Sequence, residues 1–200
     1  DPKMESTSTK IVSEFSPEKV EEFKKFILAK LSKAKKLGSY RRATYYVVGD
    51  AHVGIAYVVL VDSEGRVIYF VRHRPIKANG FRLGRQVLVW RDRSTHDAGG
   101  FAEYVFFQYL LPKFGALVAD QEQTDFGQVF WQNSLRHALE KYQGLHAYFL
   151  DRRSTPNRLV DLKTYDDVVT YKNDLWGSSE GHKRTFAVIS NKKLTLKTKH

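Results

Sequence analysis

The order of elements between Arg85 and Leu150 constrains this chain more than any other feature. RQVLVW, Arg85–Trp90, reads as a strand, and Phe101–Leu111 is an almost wholly apolar run of helical length, stopped by Pro112 and Gly115. Ala116–Ala119 is a short buried strand. Thr124 caps a long helix running to about Tyr142 and ended by Gly144, and Leu145–Leu150 is a further strand. Two strands joined through a helix cannot close as a hairpin. They require a crossover, which makes them parallel neighbours in one sheet. A helix as apolar as Phe101–Leu111 must lie against that sheet with most of its surface covered.

The residues before this unit read differently. Ser16-Pro17-Glu18 opens a helix, with apolar Val20, Phe23, Ile27, Leu31 and Ala34 on one face, lysines on the other, and Gly38 as its stop. Tyr45–Val48 is a short strand. Ala56–Val61 and Arg66–Val71 flank the turn Asp62-Ser63-Glu64-Gly65 as a hairpin, and His73–Gly84 is expected to be a loop. A short helix at about Thr164–Leu175 precedes a last strand, Arg184–Ser190. The expected class is α+β, a mixed, mostly antiparallel sheet flanked by helices. Residues 16–190 form one domain in this reading. Residues 1–15 are a flexible N-terminus that includes an expression remnant, and 191–200 are a basic tail.

Several chemistries are excluded or unsupported. The longest apolar run is shorter than the roughly 20 residues needed to span a bilayer, and no signal peptide is visible, so the expected location is cytoplasmic. With no cysteine there is no disulfide, thiolate metal site or cysteine nucleophile. Asp50-x-His52 and His96-Asp97 lack a third ligand at useful spacing, so no metal is expected. His137 and Glu140 share a helix face. The net charge of +11 points instead to an anionic partner, a nucleic acid or an acidic protein. From Arg66 to Arg93 there are eight Arg or Lys residues against one acid, Asp92. Arg72, Arg74, Lys77, Arg82, Arg85, Arg91 and Arg93 are the candidate nucleic-acid contacts, because arginine forks suit phosphate.

The segment from RQVLVW to LHAYFL resembles the core of the GNAT acyltransferase superfamily. In that family a fourth strand leads through a [QR]-x-x-G-x-[GA] phosphate loop into a helix, followed by a fifth strand, a helix and a sixth strand. Asp97-Ala98-Gly99-Gly100-Phe101-Ala102 puts Gly100 and Ala102 in the last two loop positions, with Asp97 where the family has Gln or Arg. Thr124-x-x-Gly127-x-x-Phe130-Trp131 follows the spacing of the family's next helix, with Trp131 in place of a proton-donating Tyr. The resemblance implies acetyl-CoA or a related acyl-CoA as cofactor. Gly99, Gly100, Phe101, Ala102, Thr124, Gly127 and Trp131 would line its site.

Asp92 and Asp120 follow the ends of strands Arg85–Trp90 and Ala116–Ala119, and they are the candidate general bases near that crevice. Two readings stay open. One is a GNAT-like acyltransferase acting on nucleic acid or a macromolecular partner. The other is a non-catalytic module of the same fold that binds nucleic acid or a nucleic-acid-processing protein.

Overall fold

A computed structural model describes residues 1–2, 11–12, 15–50, 54–96, 98–121, 123–177 and 184–197. Nine strands form one mixed sheet, in which β6 and β7 pair in parallel and every other pair is antiparallel. In chain order these are β2 (Lys35–Tyr40), β3 (Ala43–Gly49), β4 (Ala56–Val61), β5 (Val67–Ala78), β6 (Phe81–Arg91), β7 (Ala116–Ala119), β9 (His146–Asp151), β10 (Arg158–Leu162) and β11 (Thr185–Ser190). Across the sheet the order is β10-β9-β11-β7-β6-β5-β4-β3-β2. A separate two-stranded parallel pair joins β1 (Ile11–Val12) to β8 (Gln123–Thr124).

The parallel pair expected from the sequence is present, with Arg85 opposite Leu117 and Val87 opposite Ala119. Its crossover is α2 (Phe101–Tyr104), a π-helical stretch Val105–Leu110 and α3 (Leu111–Phe114), one after another. With α4 (Asp125–Glu140), α5 (Tyr165–Thr170) and α6 (Lys172–Trp176), these helices pack on one side of the sheet. The core there includes Val71, Val87, Phe101, Phe106, Trp131, Leu135 and Phe149. The other side is covered in two places. Phe23 and Ile27 of α1 (Pro17–Lys30) meet Tyr57, Val59, Phe70 and Leu88, while Leu194 and Leu196 pack on Val118, Tyr148 and Val188.

Three local expectations are corrected. The first helix ends at Lys30, and a 3₁₀ turn leads into β2, so Gly38 lies in an edge strand and does not end the helix. His73–Gly84 is no loop: β5 and β6 form one long hairpin around Asn79-Gly80, whose φ values are 51° and 82°. That dipeptide supplies the two left-handed residues a tight hairpin turn requires. Pro75 is tolerated because the last β4–β5 pair is Ala56–His73, so beyond it β5 has a neighbour on one side only. Arg158–Leu162 adds a strand that the sequence reading lacks. The helix expected at Thr164–Leu175 is present as α5 and α6, with Thr164 and Asp167 forming a capping box. Among the described residues, no helix is long and apolar enough to cross a membrane.

Candidate functional site

The parallel strands stay paired to the last residue of β7, and β6 continues beyond it. Gly84 marks the point where β7 begins: a Cβ there would lie 2.3 Å from the Ala116 carbonyl oxygen, so only a residue without a side chain lets the backbones meet. The register ends at Val87–Ala119, while β6 runs on to Arg91 paired only with β5. Where β7 stops, Asp120 follows, 7% exposed, and the chain turns into α4. Thr124 caps that helix, its Oγ1 accepting the Gly127 N–H at 3.0 Å.

Two cavities open beside β6 beyond the end of β7 and share Thr124. The inner one, about 10 Å³, is lined by Val87, Leu88, Val89, Asp120, Thr124, Gly127 and Trp131. It has room for about one water. The outer cleft, about 290 Å³, lies between Trp90–Arg93, the start of α1 at Phe15, Pro17, Val20 and Glu21, and the start of α4 at Thr124 and Phe126. Asp92, Asp120, Thr124, Gly127, Trp131, Arg91 and Arg93 are therefore brought together from three separate segments. The aromatic wall of the cleft, Phe15, Trp90 and Phe126, carries no sequence motif and is missed by sequence reading.

The two carboxylates differ. Asp92 is already engaged, its Oδ1 accepting from the Ser94 N–H at 2.9 Å and the Ser94 hydroxyl at 2.7 Å. Burial works to raise its pKa, but the Ser94 hydrogen bonds, with Lys24 and Arg66 nearby, hold the carboxyl below its ordinary value. Such a group is a weak base. Asp120 is engaged as well, and it lines the inner cavity. Arg91 donates to the Thr95 carbonyl at 3.4 Å, and its buried Nε has no hydrogen-bond partner. Trp131 is buried against Phe106, with ring centroids 5.3 Å apart, and an indole in that position cannot protonate a leaving group.

The glycine loop is turned inward. The Gly99 N–H bonds to the His96 carbonyl at 3.3 Å, that of Phe101 to the Ala98 carbonyl at 3.2 Å, and that of Ala102 to the Tyr69 hydroxyl. Tyr40 closes the outside, donating to the Gly99 carbonyl at 2.6 Å, and its Oη would lie 2.9 Å from a Cβ at Gly100. The Phe101 ring is fully buried against Tyr40, Tyr45 and Tyr69. Three of the N–H groups expected to hold phosphate are thus spent within the chain. Asp97 lies outside the described residues, as does His52. Tyr40 and Tyr69 could not be found from the motif, because they arrive from distant strands.

The arginine cluster does not form one surface. Side chains alternate between the faces of β5 and β6. Arg72, opposite Leu88, faces the α1 side, 9% exposed, where its guanidinium grips the Asp1 carboxylate at 2.6 Å and Tyr57 also donates to Asp1. Arg85 faces the other side at 4% exposure, donating to His73 Nδ1 at 2.9 Å and stacking on Phe114. Burial, with Arg82 nearby, lowers the Arg85 pKa to about 10. Arg74 holds Gln86, and Lys77 and Arg82 pair near the far end of the hairpin. Arg91 and Arg93 alone of the seven line the cleft.

His137 pairs with Glu103 of α2 at 3.0 Å, while Glu140 meets Arg136 at 3.9 Å. Among the described residues, no group of three His, Asp or Glu side chains could hold a metal ion. No protein-family model matches the chain, and neither a curated protein nor a solved structure does.

Proposed function

We propose that this chain is a GNAT-like acyltransferase that takes an acyl-CoA thioester into the space beside β6 beyond the end of β7 and transfers the acyl group to a nucleic acid or another macromolecular acceptor. The observation that carries the reading is the single parallel pair in an otherwise antiparallel sheet, in close contact at Gly84 and ending at Val87, with a cleft beyond it flanked by the capped start of α4. The crossover helix, β7, α4 and β9 follow in the order the resemblance implies. Arg91 and Arg93 at the mouth supply positive charge for an anionic ligand. In the reaction an acceptor amine attacks the thioester carbonyl, a C–N bond forms and the C–S bond breaks. Asp120 takes the amine proton, and solvent supplies a proton to the departing thiolate, since Trp131 cannot. The inner void is one water wide, so the thioester enters only as β6 and α4 part.

Specific observations favour the alternative, a non-catalytic module of the same fold. The loop N–H groups of Gly99, Phe101 and Ala102 are already bonded, and a tryptophan replaces the phenol. The two readings separate in one experiment. Acetyl-CoA at about 1 mM should raise the Tm through mass action on the native state, by RT ln(1 + [L]/Kd) in free energy. Asp120→Asn should keep that shift while slowing transfer to an amine acceptor by about 100-fold. No shift and no acylated product, judged by mass spectrometry, would leave the module as the reading.

A further inference from the structure

We infer that the sheet edge formed by the end of α1, β2 and the Arg41–Arg42 turn is a track for single-stranded nucleic acid, leading into the cleft past a tyrosine stacking platform. This deepens the transferase reading by naming the acceptor class. It rests on that reading only for the chemistry that follows binding.

Charge is the first observation. Between Phe23 and Gly49 there are eight Lys or Arg residues and no acid. Lys25, Lys30, Lys33, Lys35, Lys36, Arg41 and Arg42 are all exposed. The ion pairs of α1 lie toward its other end, at Lys19–Glu22 and Lys24–Glu21. β2 is the terminal strand of the sheet, so these charges follow a free edge and its turn. Lysines on an edge strand discourage pairing with another chain. That role does not account for two arginines at the turn or for the aromatic groups beside them.

Those groups are the second observation. Tyr104, 36% exposed, stands 5.5 Å from the Tyr40 ring and 5.8 Å from the Tyr45 ring, with its hydroxyl 2.9 Å from that of Tyr45. The Arg41 guanidinium lies over Tyr40 at 5.7 Å. Rings held by neighbours and flanked by arginine suit base stacking, and a base must be outside a duplex to use them.

Continuity with the cleft is the third. Arg41 donates to the His96 carbonyl at 3.0 Å, and the preceding carbonyl, that of Thr95, accepts from Arg91 of the cleft wall. A strand lying on the basic edge is thereby directed toward the cleft.

Binding of a fluorescein-labelled oligo-dT of about 20 nucleotides, followed by anisotropy without acyl-CoA, tests this. Affinity should fall steeply between about 50 and 200 mM salt, with a log–log slope near −0.7 per phosphate contacted. Arg41→Gln with Arg42→Gln should flatten that slope by about 1.4, and Tyr104→Ala should weaken binding about tenfold. Lys163→Gln with Lys172→Gln removes equal charge elsewhere and should leave affinity unchanged. Loss of binding with Arg74→Gln and Arg82→Gln while Arg41→Gln and Arg42→Gln are silent would overturn the inference. So would a duplex bound as tightly as the single strand, or no binding at about 50 mM salt. The acetyl-CoA shift is read separately, so failure of either idea is visible without the other.

Discussion

Replacing Gly84 by valine should lower the stability of this protein by about 4 kcal/mol and its Tm by about 10 °C, and should remove any acetyl-CoA shift with it. Gly84 is buried at the point where β6 meets the first residue of β7. An added Cβ would sit 2.3 Å from the Ala116 oxygen, 2.9 Å from its carbonyl carbon and 2.9 Å from its Cβ. Two of those three atoms are backbone, so no side-chain rotation relieves the clash. The strands must separate where β7 begins, losing the Arg85–Leu117 to Val87–Ala119 register on which the cleft depends. Gly84→Ala carries the same Cβ and should destabilise in the same direction, with less to bury beyond it. Thermal melts of both variants check this. An unchanged Tm for Gly84→Ala would show that β6 and β7 do not approach this closely.

The second large effect is a loss of stability in mild acid, traced to His73. Its imidazole is 1% exposed, accepts a hydrogen bond from Arg85 Nε at 2.9 Å, and lies 5.3 Å from the Phe114 ring. Burial, then Arg85, then Lys113 push its pKa down to about 3. An unfolded histidine titrates near 6.5, so between about pH 6.5 and 3 the unfolded chain binds a proton that the native chain refuses. Stability conferred by the neutral ring is therefore complete above about pH 6.5 and is lost as pH falls, by at most about 1.4 kcal/mol per pH unit. By about pH 4.5 the loss should approach 3 kcal/mol.

Asp62, Asp92 and Asp151 also sit below their ordinary pKa. Their contributions are present above the unfolded carboxylate value and disappear only below about pH 4, so the two windows separate. His73→Gln keeps an oxygen to accept from Arg85 and removes the titration. Urea midpoints at about pH 7 and pH 4.5 should then differ far less in the variant than in the parent. Equal differences in both would remove His73 as the cause.

Much of the architecture was legible because it depends on short-range signals. Thr124 capping α4, Gly115 ending the crossover helix one turn past the expected stop at Pro112, and the Asp62–Gly65 turn each act within a few residues. The parallel β6–β7 pair followed from connection length alone. The candidate site was legible in part: Asp120, Thr124, Gly127 and Trp131 do converge on one cavity. Its outer wall was not, because Phe15, Trp90 and Phe126 come from α1, β6 and α4 with no spacing that links them.

The amino-acid sequence by itself determined the strand, crossover helix, strand, helix and strand order from β6 to β9, the Ser16 and Thr124 caps and the excess of positive charge, since periodicity, connection length and composition are local or additive properties. Only the tertiary structure decided where the charge and the loop's donors point. Gly38 became part of an edge strand because β3 was there to pair with it, and Pro75 could sit in β5 because β4 had already ended. Strand alternation buried Arg72 and Arg85 on opposite faces, although they read as one cluster in the chain. Tyr40, 59 residues from Gly99, covers the glycine loop and donates to the Gly99 carbonyl, while Tyr69 takes the Ala102 N–H that the motif would offer to phosphate. A backbone N–H bonds to whichever acceptor the fold brings within about 3 Å, and that choice is made by contacts between residues far apart in sequence.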